Sequence, residues 1–294
     1  MNNMTQPYNY QVADFLFTIE ATPGIMEQCP NYAPFLSPLS TLDSPLFTLR
    51  ISGEPLPTVD GWTHIYTDKY EKEMPRIEMY RRDKEWLFFL SQYRDTPNVC
   101  ALLCDEAMQH GTLYGETSRF TVDNAMMLLF AFATAPHKAL LFHAAVVVYE
   151  KKGYMFLGHS GTGKSTHARQ WLTVFPGAGL LNDDNPVVRI LEDGPARVYG
   201  SPWSGKTPCY KASDAPLQAL VQLAQAPHNE IRLLKQTQAY PHILASVSGL
   251  KMEPAMMDSL YETIAALLAS TSVYFLECLP NPEAAQVCYS RSSH

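Results

Sequence analysis

Gly158-His159-Ser160-Gly161-Thr162-Gly163-Lys164-Ser165-Thr166 is the stretch whose residue types and spacing most clearly imply chemistry. It fits G-x-x-x-x-G-K-[ST], the pattern of a loop that cradles phosphate groups. Gly158, Gly161 and Gly163 permit backbone angles and close approaches that a Cβ would block. Successive N–H groups can then converge on a phosphate, and a following helix N-terminus adds favourable partial charge. Lys164 has the reach for β- and γ-phosphates, and Ser165 carries a hydroxyl suited to Mg²⁺.

A second cluster follows after one helix length. Gly179-Leu180-Leu181-Asn182-Asp183-Asp184-Asn185 reads as an apolar strand end delivering two adjacent carboxylates. Asp183 lies 19 residues after Lys164. Carboxylates so placed can hold Mg²⁺ and orient or deprotonate a nucleophile. Taken alone, Asn-Asp-Asp-Asn is an ordinary surface turn; beside a complete phosphate loop it is a candidate site. Gly200-Ser201-Pro202-Trp203-Ser204-Gly205-Lys206 then forms a glycine-proline loop with one lysine, and Lys206 is either a phosphate or nucleotide ligand or a solvated loop residue.

The elements that must position these groups are legible in outline. Gly153 to Leu157 reads as a strand entering the glycine loop, and Thr166 to Phe175 as a helix leaving it, closed by Pro176-Gly177. Ala139 to Tyr149 reads as one continuous apolar strand. Thr121 is placed to cap a helix over 122–133 that is apolar around most of its circumference and therefore buried. Residues 216–225 read as a strand or a helix edge, 231–234 as a strand, 237–247 and 252–270 as helices, 273–278 as a late strand and 282–289 as a closing helix. Upstream, 14–19, 47–51, 63–67, 76–81, 85–90 and 99–103 alternate or run apolar like strands, with Arg81 to Lys84 as a hairpin turn. The prolines at 23, 30, 34, 38 and 45 mark an irregular connection.

The expected organisation is therefore a β-rich region over 1–118, with a recognition role open to it and no catalytic cluster, and an α/β nucleotide-binding domain over 119–294. The chain has 294 residues, 46% of them hydrophobic, which is enough for a sizeable core. Its formal charge of −7 and the absence of a basic run argue against nucleic acid or an anionic membrane as the main partner. No segment has the ~20 apolar residues of a membrane span. Six cysteines form no CxxC pair; Cys100 and Cys104 could share a metal only if helical, and read better as buried thiols. The lack of a secretory signal or disulfide pattern points to a reducing cytoplasm.

His143-Ala144, the loop Gly158 to Ser165, Leu181 to Asp184 and Gly200 to Lys206 together resemble the kinase domain of HPr serine kinase/phosphorylase. They resemble still more closely the HPr-kinase-related proteins, which share a nucleotide-binding core with phosphoenolpyruvate carboxykinases. The resemblance spans roughly residues 120–290. It implies a P-loop-containing α/β core, α+β overall with the N-terminal region, in which a curved sheet carries the loop. It implies His143 near the γ-phosphate, and Asp183 and Asp184 dividing the roles of catalytic base and metal contact between them. The downstream signature of the bifunctional enzyme is absent, as is its type of N-terminal regulatory domain, so the likeness does not extend to HPr as acceptor or to phosphorolysis.

The resulting expectation is an ATP-dependent, Mg²⁺-assisted kinase that acts on a hydroxyl of a protein, a peptide or a small molecule. The catalytic set is Lys164, Asp183, Asp184 and His143; the nucleotide set is residues 158 to 166 with Lys206; the metal set is Ser165, Asp183 and Asp184. A homo-oligomer is left open. Two rivals stand beside it: a nucleotide-binding recognition module with little catalysis, and a carboxykinase-like or NTP-hydrolysing enzyme. The carboxykinase reading lacks an evident arginine cluster near the motifs.

Overall fold

The computed structural model describes residues 4–38, 44–67, 75–205, 207–248 and 254–293. It is a mixed α/β protein with two large mixed sheets, one of them a curled half-barrel. The contacts divide the chain into two compact units, 1–133 and 134–294. Among the described residues no helix is long and apolar enough to cross a membrane.

The first unit runs β1 (Gln6–Val12), β2 (Phe15–Ala21), α1 (Pro23–Met26), a 3-10 turn (Pro30–Phe35), β3 (Phe47–Ile51), β4 (Thr63–Thr67), β5 (Arg76–Arg82), β6 (Glu85–Ser91), β7 (Asn98–Asp105), β8 (His110–Gly115) and α2 (Arg119–Thr134). Its eight strands have the order β1-β2-β3-β8-β7-β6-β5-β4. Period-two alternation assigns the two sheet faces. Phe17, Phe47 and Phe88 are buried on the face that α2 covers, where Phe130 meets Phe15, Phe17 and Phe47 edge-on and Phe132 stacks on Phe88. These contacts pack α2 with the first compact unit, which runs to residue 133, one residue short of the end of the helix. Its cap also lies upstream of the expected Thr121. Ser118 N–H donates to Thr121 Oγ1 at 2.9 Å, and Ser118 Oγ accepts from Thr121 N at 3.4 Å. Cys100 and Cys104 lie on β7, not on a helix, and burial pushes the Cys100 thiol up to about 12.

The second unit continues with β9 (Ala139–Leu141), β10 (Ala144–Tyr149), β11 (Lys152–Leu157), α3 (Lys164–Val174), β12 (Gly179–Asn182), β13 (Val187–Ile190), β14 (Ala196–Tyr199), β15 (Asp214–Gln225), β16 (Glu230–Leu233), α4 (Gln236–Ser246), α5 (Pro254–Ser270), β17 (Ser272–Cys278) and α6 (Pro282–Ser292). β15 joins two parts of its sheet. Asp214 to Pro216 pair with β14, and later residues lie parallel to β11 on one side and β17 on the other. One face of β10, β11, β15 and β17 packs Val146, Met155, Leu220 and Val273 against α4 and α5 through Ile243, Ile264 and Leu267. The other packs Val147, Tyr154, Phe156 and Val221 against Trp171 and Ala168 of α3 and Ala285 and Cys288 of α6. Helices on both faces explain the near-continuous apolar runs of these strands.

The expected single strand over 139–149 is two strands. β9 pairs with β13, whereas β10 pairs with β11 and β12. Phe142 and His143 occupy the break. Phe142 N–H donates to Pro186 O at 3.0 Å, Ala144 N–H to Asp184 O at 2.9 Å and His143 N–H to Ser246 O at 2.7 Å. The run is apolar throughout because both halves are buried, so periodicity gives no sign of the change of partner.

Candidate functional site

β11 ends at Leu157 and the glycine loop begins at once. Gly158 has φ +152°, and a Cβ there would come within 2.9 Å of the Thr162 side chain. Gly161 and Gly163 have φ +78° and +107°, the left-handed region that glycine tolerates best. Thr162 N–H closes a turn on His159 O at 3.1 Å, and His167 N–H finds Gly163 O at 2.8 Å. α3 starts at Lys164, two residues earlier than the sequence suggests. His159 and Ser160 are exposed, and Ser165 and Thr166 are half-buried in the first turn.

Lys164 is 8% exposed. Its ammonium donates to Gly158 O at 2.8 Å and His159 O at 3.3 Å. Burial lowers its pKa, and the fields of Asp184 and Asp183 oppose that shift. The loop lysine and both carboxylates therefore share one electrostatic neighbourhood, although a helix and a strand separate them in sequence.

The carboxylates sit in the turn after β12. Asp183 is 6% exposed, and its buried Oδ1 has no hydrogen-bond partner among the described residues. Asp184 has both oxygens engaged. Its Oδ1 lies 3.0 Å from His143 Nδ1, and its Oδ2 accepts from Asn185 Nδ2 at 2.9 Å. The His143–Asp184 pair is about one-third exposed, so its value is orientation more than stability.

Asn182, which carried no role in the sequence reading, builds this turn. It is fully buried. Its Oδ1 accepts from Asp184 N and Asn185 N, both at 2.9 Å, and its Nδ2 donates to Ser201 Oγ and Trp203 O, both at 3.1 Å. Ser201, also fully buried, donates to Asn185 O at 2.6 Å and accepts from Trp203 N at 3.2 Å. The 200–205 loop is thus the floor under the acidic turn. A side chain at Gly205 would stand 3.2 Å from Asp183 O. Lys206 lies outside the described residues.

Beside the glycine loop is a cleft of about 550 Å³. Gly161, Gly163, Thr166 and Gln170 line one side and Gln225, Ala226 and Cys278 to Pro280 the other. Gln225 Nε2 donates to Gly161 O at 3.2 Å and so ties the loop to the end of β15. His167, behind the loop, accepts from Trp171 Nε1 at 3.1 Å, and burial pushes its pKa down to about 4. Neither a protein-family model nor a curated protein matches the chain.

The arrangement brings together Lys164, Asp183, Asp184 and His143 of the sequence-derived set. No sequence motif marks Asn182, Ser201 or Gln225, since the bonds that join them to the site, Asn182 to Ser201 and Trp203, Ser201 to Asn185 and Gln225 to Gly161, reach residues distant in sequence. The nearest available sign was the Asn flanking each end of the Asp pair, because asparagine side chains readily bind backbone N–H groups two or three residues on.

Proposed function

We propose that the chain is a nucleotide-dependent phosphotransferase that moves the γ-phosphoryl group of ATP to a hydroxyl, on a core of the HPr-kinase and carboxykinase type. The observation that carries this reading is the buried Oδ1 of Asp183, unpartnered among the described residues, in the neighbourhood of the loop lysine. A buried carboxylate oxygen without a partner is unfavourable unless a cation or donor completes it. The mixed sheet supports the core assignment: the glycine-loop strand lies between a parallel neighbour, β15, and an antiparallel one, β10, which in turn carries the carboxylate strand β12.

The donors fit Mg²⁺, a hard cation held by one or two carboxylates together with substrate phosphates. Asp183 and Ser165 would hold it, and when bound it would neutralise charge on the phosphate oxygens. The remaining work falls to the chain. The loop N–H groups and Lys164 bind the phosphates, and Lys164 exchanges its two carbonyl partners for phosphate oxygens. The cleft beside Thr166 and Gln170 accommodates the nucleoside. Asp184 accepts the proton of the acceptor hydroxyl, with its carboxylate oriented by His143 Nδ1 and Asn185 Nδ2. The acceptor is a serine-bearing protein or peptide or a small hydroxylated molecule. Catalysis of this kind is positioning and electrostatics.

Calorimetry with ATP and Mg²⁺ on the native chain, Lys164→Ala and Asp183→Ala/Asp184→Ala tests the reading. The native chain should bind, and Lys164→Ala should weaken binding or transfer by roughly 10²-fold or more, the usual loss for one positioned donor. Labelled γ-phosphate transfer to serine-bearing acceptors then tests chemistry. Absence of nucleotide binding by the native chain would refute the proposal; binding without transfer to any acceptor or to water would leave a recognition module.

A further inference from the structure

We infer that His228, Glu230 and Glu277 form a second cation site, separate from the candidate phosphotransfer site, for a borderline divalent metal of the Zn²⁺ or Co²⁺ kind. Each offers one ligand atom, and the three atoms lie within 4.8 Å of one another. His228 Nε2 and Glu230 Oε2 are 3.9 Å apart. Three ligands around one Zn²⁺ at ~2.1 Å lie roughly 3.4 Å from each other, so rotation of exposed side chains closes the set.

The strand register makes the cluster more than a chance gathering of surface charge. Glu230 of β16 and Glu277 of β17 are direct antiparallel partners. Their neighbours Ile231 and Leu276, also paired, pack into the core with α3 and α6, so both carboxylates project from the opposite face. Like charges directly opposite on a ladder are destabilising. Among the described residues, no Lys or Arg forms an ion pair with either carboxylate. Arg232, on the same face of β16, stacks its guanidinium 4.7 Å from the Phe275 ring centre, and among the described residues the Glu277 carboxylate has neither a hydrogen bond nor an ion pair. His228 is the third group, and its imidazole supplies a nitrogen ligand beside the two carboxylates.

The backbone that carries these ligands is held in place. Asn229 Oδ1 accepts from Leu279 N at 2.9 Å, Asn229 Nδ2 donates to Asn281 Oδ1 at 3.1 Å and to Glu283 Oε2 at 2.8 Å, and Ala226 N–H reaches Cys278 O at 3.2 Å. A site on preformed elements binds without paying for their ordering. One imidazole with two carboxylates suits Zn²⁺, Co²⁺ or Mn²⁺ better than the all-oxygen preference of Mg²⁺ or Ca²⁺. Three protein ligands leave a position for water. Because Ala226 and Cys278 to Pro280 line the cleft beside the glycine loop, an ion here clamps one wall of that cleft.

The test uses the full chain stripped with a chelator, in an Asp183→Asn/Asp184→Asn background that removes the acidic turn from the measurement. Titration with Co²⁺, read by calorimetry and by visible absorption, should show one equivalent bound. His228→Ala and Glu277→Gln added to that background should each weaken binding by at least about tenfold, since even second-sphere changes at metal sites have effects of that size. Thermal melts supply a control for folding: without metal, Glu277→Gln should melt above its parent, because it removes the opposed charge, and added Co²⁺ should raise the melting point of the parent only. Amide exchange over 226–231 and 274–280 should slow with metal in the parent alone. Absence of an equivalent of bound Co²⁺, or binding unaffected by both substitutions, overturns the inference. Neither outcome depends on whether the chain binds nucleotide.

Discussion

Replacing Asn182 with alanine should destabilise the second unit by about 4 kcal/mol. The figure comes from four hydrogen bonds made by one buried amide, two accepted from Asp184 N and Asn185 N and two donated to Ser201 Oγ and Trp203 O, at about 1 kcal/mol each. It is a large share of the 5–15 kcal/mol typical of a domain. Ser201→Ala removes the bond to Asn182, the 2.6 Å donation to Asn185 O and the acceptance from Trp203 N, which predicts about 3 kcal/mol. Because the two residues share a bond, the double variant should lose less than the sum, by about 1 kcal/mol. Urea titrations followed by tryptophan fluorescence measure this directly. Substituting Trp62 and Trp86 with phenylalanine leaves Trp171 and Trp203, both in the second unit, as reporters. Additivity within ~0.3 kcal/mol, or an Asn182→Ala loss below ~1 kcal/mol, would show that water or local relaxation replaces these bonds and that Asn182 does not hold the acidic turn.

His167 should make stability pH-dependent. Its folded pKa of about 4 lies below the ordinary 6.5, so between those values the unfolded chain binds the extra proton, and stability falls as pH drops from about 6.5 to about 4. The full span corresponds to on the order of 3 kcal/mol; His167→Gln, compared with the native chain in urea at several pH values, should lack this slope, and parallel profiles would refute the assignment. Phe130→Ala, which empties the centre of the Phe15–Phe17–Phe47 cluster, should destabilise the first unit by about 3–5 kcal/mol as read from Trp62 and Trp86 fluorescence. If the chain is the proposed phosphotransferase, Asp184→Asn should preserve the fold and the nucleotide affinity while lowering phosphoryl transfer by roughly 10²-fold or more, the loss of the proposed general base; equal transfer rates would move that role to another group.

The glycine loop was legible because its information is local: spacing, an apolar entry and a helical exit lie within twenty-odd residues. α2 was legible because a helix apolar on most sides must be buried. The break at His143 was not, since the residues that divide β9 from β10 are Asp184 and Pro186, about forty positions downstream. β1, β8 and β14 leave little trace in the sequence for a related reason. Gln6–Val12 is polar along an edge, His110–Gly115 contains two glycines, and Ala196–Tyr199 is four residues long, so pairing rather than composition makes them strands. Asn182 and Ser201 carry no signal alone. The opposed glutamates of β16 and β17 become visible only when the register is known.

The double service of β15 has a consequence for how the chain is made. The strand that launches the glycine loop, β11, has its parallel neighbour at Leu217 to Gln222, and that neighbour is flanked in turn by Ser272 to Cys278. Parallel partners cannot be supplied by a hairpin, and their closure comes late because long loops must be closed first. During synthesis from the N-terminus, the β10–β11 hairpin can form early, but the loop, the Gln225 tether and the cleft wall at Cys278 to Pro280 come together only when almost the whole unit has emerged. A nascent chain therefore acquires its candidate phosphate site as one of the last events of folding.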